Sequence, residues 1–178
     1  MKVIVDMDDT LVATRDLNND SYNYALEYYG YPRISNVLRI NRNIIDVDKN
    51  KLEKIIEIKQ KYFCEKWLSY RVFLNNILID KLLYYGRDNC YLWTAATPNK
   101  TIKIIKEFEL DKYFNKIIYD NKLNFDQSIK ILKENTSDSR FLIYENNKDF
   151  FAGKNINIVD KICNDLFNVN GYLINCCH

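Results

Sequence analysis

The run Val3-Ile4-Val5-Asp6-Met7-Asp8-Asp9-Thr10-Leu11-Val12 constrains the chain more than any other segment. Lys2 to Val5 is short and β-branched, the pattern of a strand buried on both faces. Asp6, Asp8 and Asp9 then place an acidic cluster at its C-terminal end. Ligands of an open parallel sheet bind beyond the carboxyl ends of the strands. The spacing therefore predicts a functional site within the first ten residues. The same aspartates interrupt the apolar run, so it does not read as a secretory signal.

The rest of the chain predicts how that strand is housed. With 178 residues there is room for one α/β domain and a modest insertion. From Thr14 to Lys81 the pattern is helical: Tyr22, Ala25, Leu26 and Tyr29 share one face, as do Leu52, Ile55, Ile56, Tyr62 and Phe63. Gly30-Tyr31-Pro32 breaks the first of these helices. An α/β rhythm follows. Helices are expected over Leu78–Tyr85, Asn99–Phe108 and Asp126–Glu134, with a short one over Asp149–Lys154. Strands are expected over Cys90–Trp93, Lys116–Tyr119, Phe141–Tyr144 and Ile156–Val159, with Gly171–Asn175 as a last edge strand. Strands separated by single helices imply right-handed crossovers and a parallel, doubly wound sheet.

Composition excludes some classes. The net charge of +2 is too small to argue for a nucleic-acid partner. No apolar run reaches the roughly 18 residues that a membrane span needs. The cysteines Cys64, Cys90, Cys163, Cys176 and Cys177 form no C-x-x-C pair. They read as reduced thiols of a cytoplasmic protein, and Cys176-Cys177-His178 lacks structural-zinc spacing.

Three strand ends carry polar groups: Asp6 and Asp8 on the first, Thr94 after Cys90–Trp93, and Glu145 after Phe141–Tyr144 with Asp149 just beyond. Lys122 lies in the loop before the helix that leads to the last. Lys130 is its rival but falls mid-helix, where a solvated face is the ordinary role.

These residues resemble the haloacid dehalogenase (HAD) superfamily of phosphohydrolases. Asp6-Met7-Asp8-Asp9-Thr10-Leu11-Val12 matches its first motif, D-x-D-x-T-L/V. Leu92-Trp93-Thr94 is similar to the second, a hydrophobic strand ending in Thr or Ser. Lys122 corresponds to the third, and Phe141 to Asp149 resembles the fourth, a strand ending in an acidic pair. The likeness spans residues 1–14 and 77–160.

The resemblance implies a Rossmann-like core, residues 1–13 and 82–178, with a helical cap, residues 14–81, inserted after the first strand. It implies that Asp6 attacks phosphorus to form an aspartyl-phosphate, and that Asp8 protonates the leaving oxygen and later deprotonates water. Thr94 and Lys122 would hold the phosphoryl group. Mg²⁺ would be bound by Asp6, the Asp8 carbonyl, Glu145 and Asp149, a hard oxygen set. The fourth motif departs from the family at Glu145-Asn146, where an acidic pair is usual. A register using Asn146 would give a neutral ligand, and one using Glu145 and Asp149 keeps the x-x-x spacing.

A cap at this position implies a small phosphorylated substrate. Aromatics (Tyr22, Tyr24, Tyr28, Tyr29, Tyr62, Phe63, Trp67, Tyr70, Phe73) and a mildly basic balance, twelve Lys and Arg against nine Asp and Glu in residues 14–81, favour a nucleoside monophosphate. Arg33, Arg39 and Arg42 are candidates for a second phosphate. The alternatives are a phosphatase of polynucleotide ends and a degenerate, non-catalytic binding protein.

Overall fold

The computed structural model describes residues 1–176. Cys177 and His178, and with them the Cys176-Cys177-His178 run, lie outside the described residues. In chain order the elements are β1 (Lys2–Asp6), β2 (Val12–Ala13), α1 (Arg15–Tyr28), α2 (Lys49–Lys66), β3 (Phe73–Leu74), α3 (Asn76–Tyr85), β4 (Cys90–Thr94), α4 (Pro98–Glu107), β5 (Lys116–Tyr119), α5 (Phe125–Thr136), β6 (Arg140–Glu145), β7 (Asn157–Cys163) and β8 (Asn168–Asn175). The chain forms two compact units, one of residues 1–13 and 73 onward, the other of residues 14–72. No described helix is long and apolar enough to cross a membrane.

The first unit is built on a six-stranded sheet in the order β5-β4-β1-β6-β8-β7. β5, β4, β1 and β6 run parallel. β4 is buried along its whole length, and β1 and β6 are buried beyond their first residues, as expected of central strands covered on both faces. On one face Ile4, Trp93, Ile118, Phe141, Ile143 and Ile174 pack with Ile129 and Leu132 of α5. The alternate residues Val3, Val5 and Leu92 are fully buried on the other. There the Cys90 thiol donates to the Leu82 carbonyl of α3, and burial pushes that thiol up to about 11.

Two details differ from the sequence expectation. The last strand is not the edge: β8 lies between β6 and β7 and runs antiparallel to both. The cause is the turn at 164–167, where Asn164 Oδ1 accepts the N–H groups of Leu166 and Phe167 and closes a hairpin. Strands joined by so short a loop pair antiparallel. The expected helix over Asp149–Lys154 is a 3-10 turn over Lys148–Phe151, which Asn147 caps by accepting the Asp149 N–H.

β2 and β3 pair antiparallel, Val12 with Leu74 and Ala13 with Phe73, so the segment between them leaves and re-enters the first unit through one small ladder. That segment is the second unit. α1 and α2 bury Tyr22, Ala25, Leu26 and Ile55 with Ile40 and Ile45. Asp48 caps α2 by accepting the Lys51 N–H. Three asparagines on α1 tie down the irregular connection: Asn18 and Asn19 bond the backbone of Ile40, and Asn23 bonds both backbone groups of Ile34.

Candidate active site

Parallel pairing brings the strand ends to one level. Asp6 is in register with Trp93, Val5 with Tyr144, and Thr94 with Tyr119. Asp6, Thr94, Asp120 and Glu145 therefore lie at the C-terminal ends of four adjacent strands, and all four are buried.

After Asp6 the chain turns sharply. Asp9 has a left-handed backbone (φ 59°), and the Leu11 and Val12 N–H groups both donate to the Met7 carbonyl. Asn75 holds the turn from below: its backbone N–H donates to Leu11 O, its carboxamide donates to Thr10 O at 2.9 Å, and its Oδ1 caps α3.

Lys122 is the hub. Its ammonium donates to Asp6 Oδ1 and, at 2.8 Å, to Glu145 Oε2, and it lies 4.0 Å from the centre of the Trp93 ring. Burial opposes its charge, but Asp6 and Glu145 outweigh that and hold it above the ordinary lysine value. Lys130 is exposed on α5 and pairs with Glu134. The structure thus brings Lys122, and not Lys130, to Asp6. Burial and the neighbouring Glu145 charge push Asp6 up to about 7, an effect Lys122 only partly offsets. Thr94 is 1% exposed. Its oxygen accepts the Ala96 N–H at 3.0 Å, and its hydroxyl proton remains to donate.

Sequence reading missed two contributors. Lys100 grips both carboxylate oxygens of Asp8, at 2.6 and 2.8 Å. Asp120 accepts the Trp93 indole N–H at 3.1 Å and the Lys122 backbone N–H at 3.0 Å. The one signal for Lys100 is a basic residue in the first turn of a helix, against the usual charge preference. The signal for Asp120 is its place directly after the strand expected over Lys116–Tyr119.

No family model and no curated protein matches the chain. Solved structures do. A haloacid dehalogenase-like family hydrolase from Streptococcus pneumoniae aligns at a TM-score of 0.61 and 16% identity, over 80% of this chain and 73% of that one. A predicted phosphoglycolate phosphatase from Haemophilus somnus aligns at 0.57 and 15%, over 80% and 75%. Protein Tyrosine Kinase A of Mycobacterium tuberculosis aligns at 0.60 and 15%, over 79% and 72%. This is the haloacid dehalogenase-like fold. At such identities the likeness carries the fold and not the reaction, since a predicted phosphatase and Protein Tyrosine Kinase A align about equally well.

Glu145 Oε1 accepts the N–H groups of Asn146 and Asn147, both at 3.0 Å, and Oε2 accepts Lys122, so its oxygens are committed. Asp149 is exposed on its 3-10 turn, and no hydrogen bond or ion pair joins its carboxylate to the cluster. No group of three or more His, Cys, Asp or Glu among the described residues is arranged to hold a metal. Asn146, by contrast, is fixed beside the first loop: its side-chain Oδ1 accepts from the Thr10 hydroxyl at 3.3 Å, and its backbone N–H donates to the same hydroxyl at 3.1 Å. Asp6 and Glu145 share the single Lys122 ammonium, so the buried cluster keeps an excess of negative charge. Of the residues expected to hold a cation, Asp6 and the Asn146 carboxamide have oxygens that could serve one, and the carboxylates of Glu145 and Asp149 do not.

Proposed function

We propose that the chain is a HAD-superfamily phosphohydrolase that cleaves phosphomonoesters through an aspartyl-phosphate on Asp6. The observation that carries the reading is the Asp6–Lys122–Glu145 cluster at the C-terminal ends of β1 and β6, with the Thr94 hydroxyl one strand away. A buried carboxylate beside an ammonium and a hydroxyl donor is equipped to attack phosphorus while the non-bridging oxygens are held.

In the first step an Asp6 oxygen forms a bond to phosphorus, the ester P–O bond breaks, and Asp8 supplies the proton that the leaving oxygen takes up. In the second, Asp8 removes a proton from water as it attacks, and the phosphorus–Asp6 bond breaks to release phosphate. Lys122 and Thr94 donate to the phosphoryl oxygens in both. Mg²⁺, held by the Asp6 carboxylate, the Asp8 carbonyl and the Asn146 carboxamide, would neutralise charge between the dianion and its nucleophile. In this reading Glu145 anchors Lys122, and Asp149 takes no part.

A small substrate is favoured, with a nucleoside monophosphate as the preferred class. Exposed Tyr24 stacks on Tyr62 with ring centroids 4.2 Å apart, a surface suited to a base. Arg33 pairs with Asp20 and Glu27, which weakens the case for a second-phosphate or polynucleotide contact there. A cytoplasmic setting, where thiols such as Cys90 and Cys163 stay reduced, belongs to the same reading.

The neutral Asn146 favours one rival, a non-catalytic binding protein. Mg²⁺-dependent hydrolysis of 4-nitrophenyl phosphate, lost in Asp6→Asn, is the expected result. No turnover by the wild type under any divalent cation leaves the rival standing. Nucleotides turned over no faster than sugar phosphates would remove the substrate preference.

A further inference from the structure

The phosphohydrolase reading gives Asp8 the proton transfers but does not say what aims its carboxylate. Lys100 answers that. It sits 92 residues along the chain, in the first turn of α4, and its ammonium holds Asp8 Oδ1 at 2.6 Å and Oδ2 at 2.8 Å. The Lys100 side chain is 6% exposed and that of Asp8 19%.

Two physical arguments make this pairing more than an incidental ion pair. A cation in the first turn of a helix opposes the positive end of the helix dipole. Burying an ammonium there is unfavourable unless an anion compensates it closely. Helix stability thus gives no reason for a lysine at position 100. The site also holds two separate lysine–carboxylate sets, Lys122 with Asp6 and Glu145, and Lys100 with Asp8. Each reacting carboxylate has its own ammonium, so Asp8 is not drawn onto Lys122 and away from the leaving-group side.

We propose that Lys100 is a positioning residue that fixes the rotamer of Asp8 for proton transfer to the leaving oxygen. This rests on the phosphohydrolase reading. Lys100 keeps Oδ1 as the reacting oxygen arrives, and Oδ2 turns from Lys100 to meet it. Asp8 enters this step protonated on Oδ2, the state that the second step restores when Asp8 takes a proton from water; the proton passes to the leaving oxygen, the carboxylate that forms is held by Lys100 on both oxygens, and Lys100 neither gains nor loses a proton.

The test compares leaving groups in the full chain with Mg²⁺. For each substrate kcat/KM reports the events up to departure of the leaving group. 4-Nitrophenolate leaves without a proton, and an alkoxide does not. Lys100→Met is expected to lower kcat/KM for an alkyl phosphate by about 10²-fold, the usual effect of a misplaced catalytic group, and for 4-nitrophenyl phosphate by less than about threefold. A general structural defect would lower both alike, and equal losses overturn the proposal. If Lys100→Met does not fold because Asp8 is left uncompensated, the comparison moves to Asp8→Asn against Asp8→Asn/Lys100→Met. There the second substitution is expected to change neither substrate further, and an added loss overturns the proposal. A wild type inactive on both substrates removes the phosphohydrolase reading and this role with it. An active wild type with unselective variants removes only the role of Lys100.

Discussion

The Lys122 ammonium lies 4.0 Å from the centre of the Trp93 ring, and both residues donate a hydrogen bond to Asp120, Trp93 from its indole and Lys122 from its backbone. Lys122 itself has a left-handed backbone (φ 54°), which a non-glycine residue holds only when its surroundings impose it. Asp120 is what imposes it. Asp120→Ala leaves two donors without their acceptor, at a cost of roughly 1–3 kcal/mol for a buried group. A lower melting temperature is expected, with activity reduced about 10²-fold as Lys122 loses its aim. Asp120→Asn keeps one acceptor oxygen and falls between. Thermal melts and steady-state kinetics on the two variants check the order.

Lys122→Arg is expected to be as damaging as Lys122→Met, about 10²- to 10³-fold in kcat, the range seen when one transition-state donor is removed. The ammonium is a compact group wedged between Asp6, Glu145 and an indole face. A planar guanidinium does not fit that space. An arginine variant with near wild-type kcat would contradict the geometry.

The strand ends were legible in the sequence because each is a short apolar run followed by a polar residue, and the parallel sheet brings such ends together. Asp6, Thr94 and Glu145 could be found on that rule alone. Lys122 was separable from Lys130 because it lies in a loop where strand ends converge, whereas Lys130 falls mid-helix, where a solvated face is the ordinary role. Lys100 was not legible, because its partner lies 92 residues away and no local period encodes a contact of that range. Asp120 falls under the strand-end rule, since it directly follows Lys116–Tyr119, but its bonds to Trp93 and Lys122 do not. The β7–β8 hairpin was missed for a different reason. Its strand pattern is irregular, with a register shift between Ile158 and Asp160, and the turn signal is the single Asn164.

Gly171 is predicted to tolerate no side chain. A Cβ there would meet Asp160 Cβ at 2.9 Å and Tyr144 Cε1 at 3.1 Å. Neither neighbour can yield easily, because Tyr144 donates to Asp160 at 2.7 Å and Lys81 holds the same carboxylate oxygen at 2.8 Å. Gly171→Ala should destabilise by about 1–3 kcal/mol, the range for overpacking a filled site. Denaturant melts would show it.

The same carboxylate sets an acid limb to stability. Burial works against its charge, but Lys81 and Tyr144 outweigh burial and hold Asp160 below the usual carboxylate range. A carboxylate depressed in the folded state contributes stability fully above its unfolded value and loses it as pH falls through the folded one. Asp160→Asn lacks that contribution. The wild type should exceed the variant by a constant margin near neutral pH, and the two should converge below about pH 4. A margin that grew with acid would reverse the assignment.

Asn146 offers a gain of function. Its Oδ1 accepts a hydrogen bond from Thr10, and its backbone is pinned by the same hydroxyl, so the side chain is already aimed. Asn146→Asp would place a charged oxygen where a neutral one stands, with the Thr10 donor still able to serve it. Hard cations bind more tightly as ligand charge rises. The Mg²⁺ concentration for half-maximal activity should fall by about tenfold, equivalent to about 1.4 kcal/mol. Mg²⁺ should also raise the melting temperature of the variant more than that of the wild type, a readout independent of turnover. The added charge sits beside Asp6 and Glu145, so without metal the variant should melt below the wild type. An Asn146→Asp chain with unchanged Mg²⁺ dependence in both assays would take Asn146 out of the metal shell.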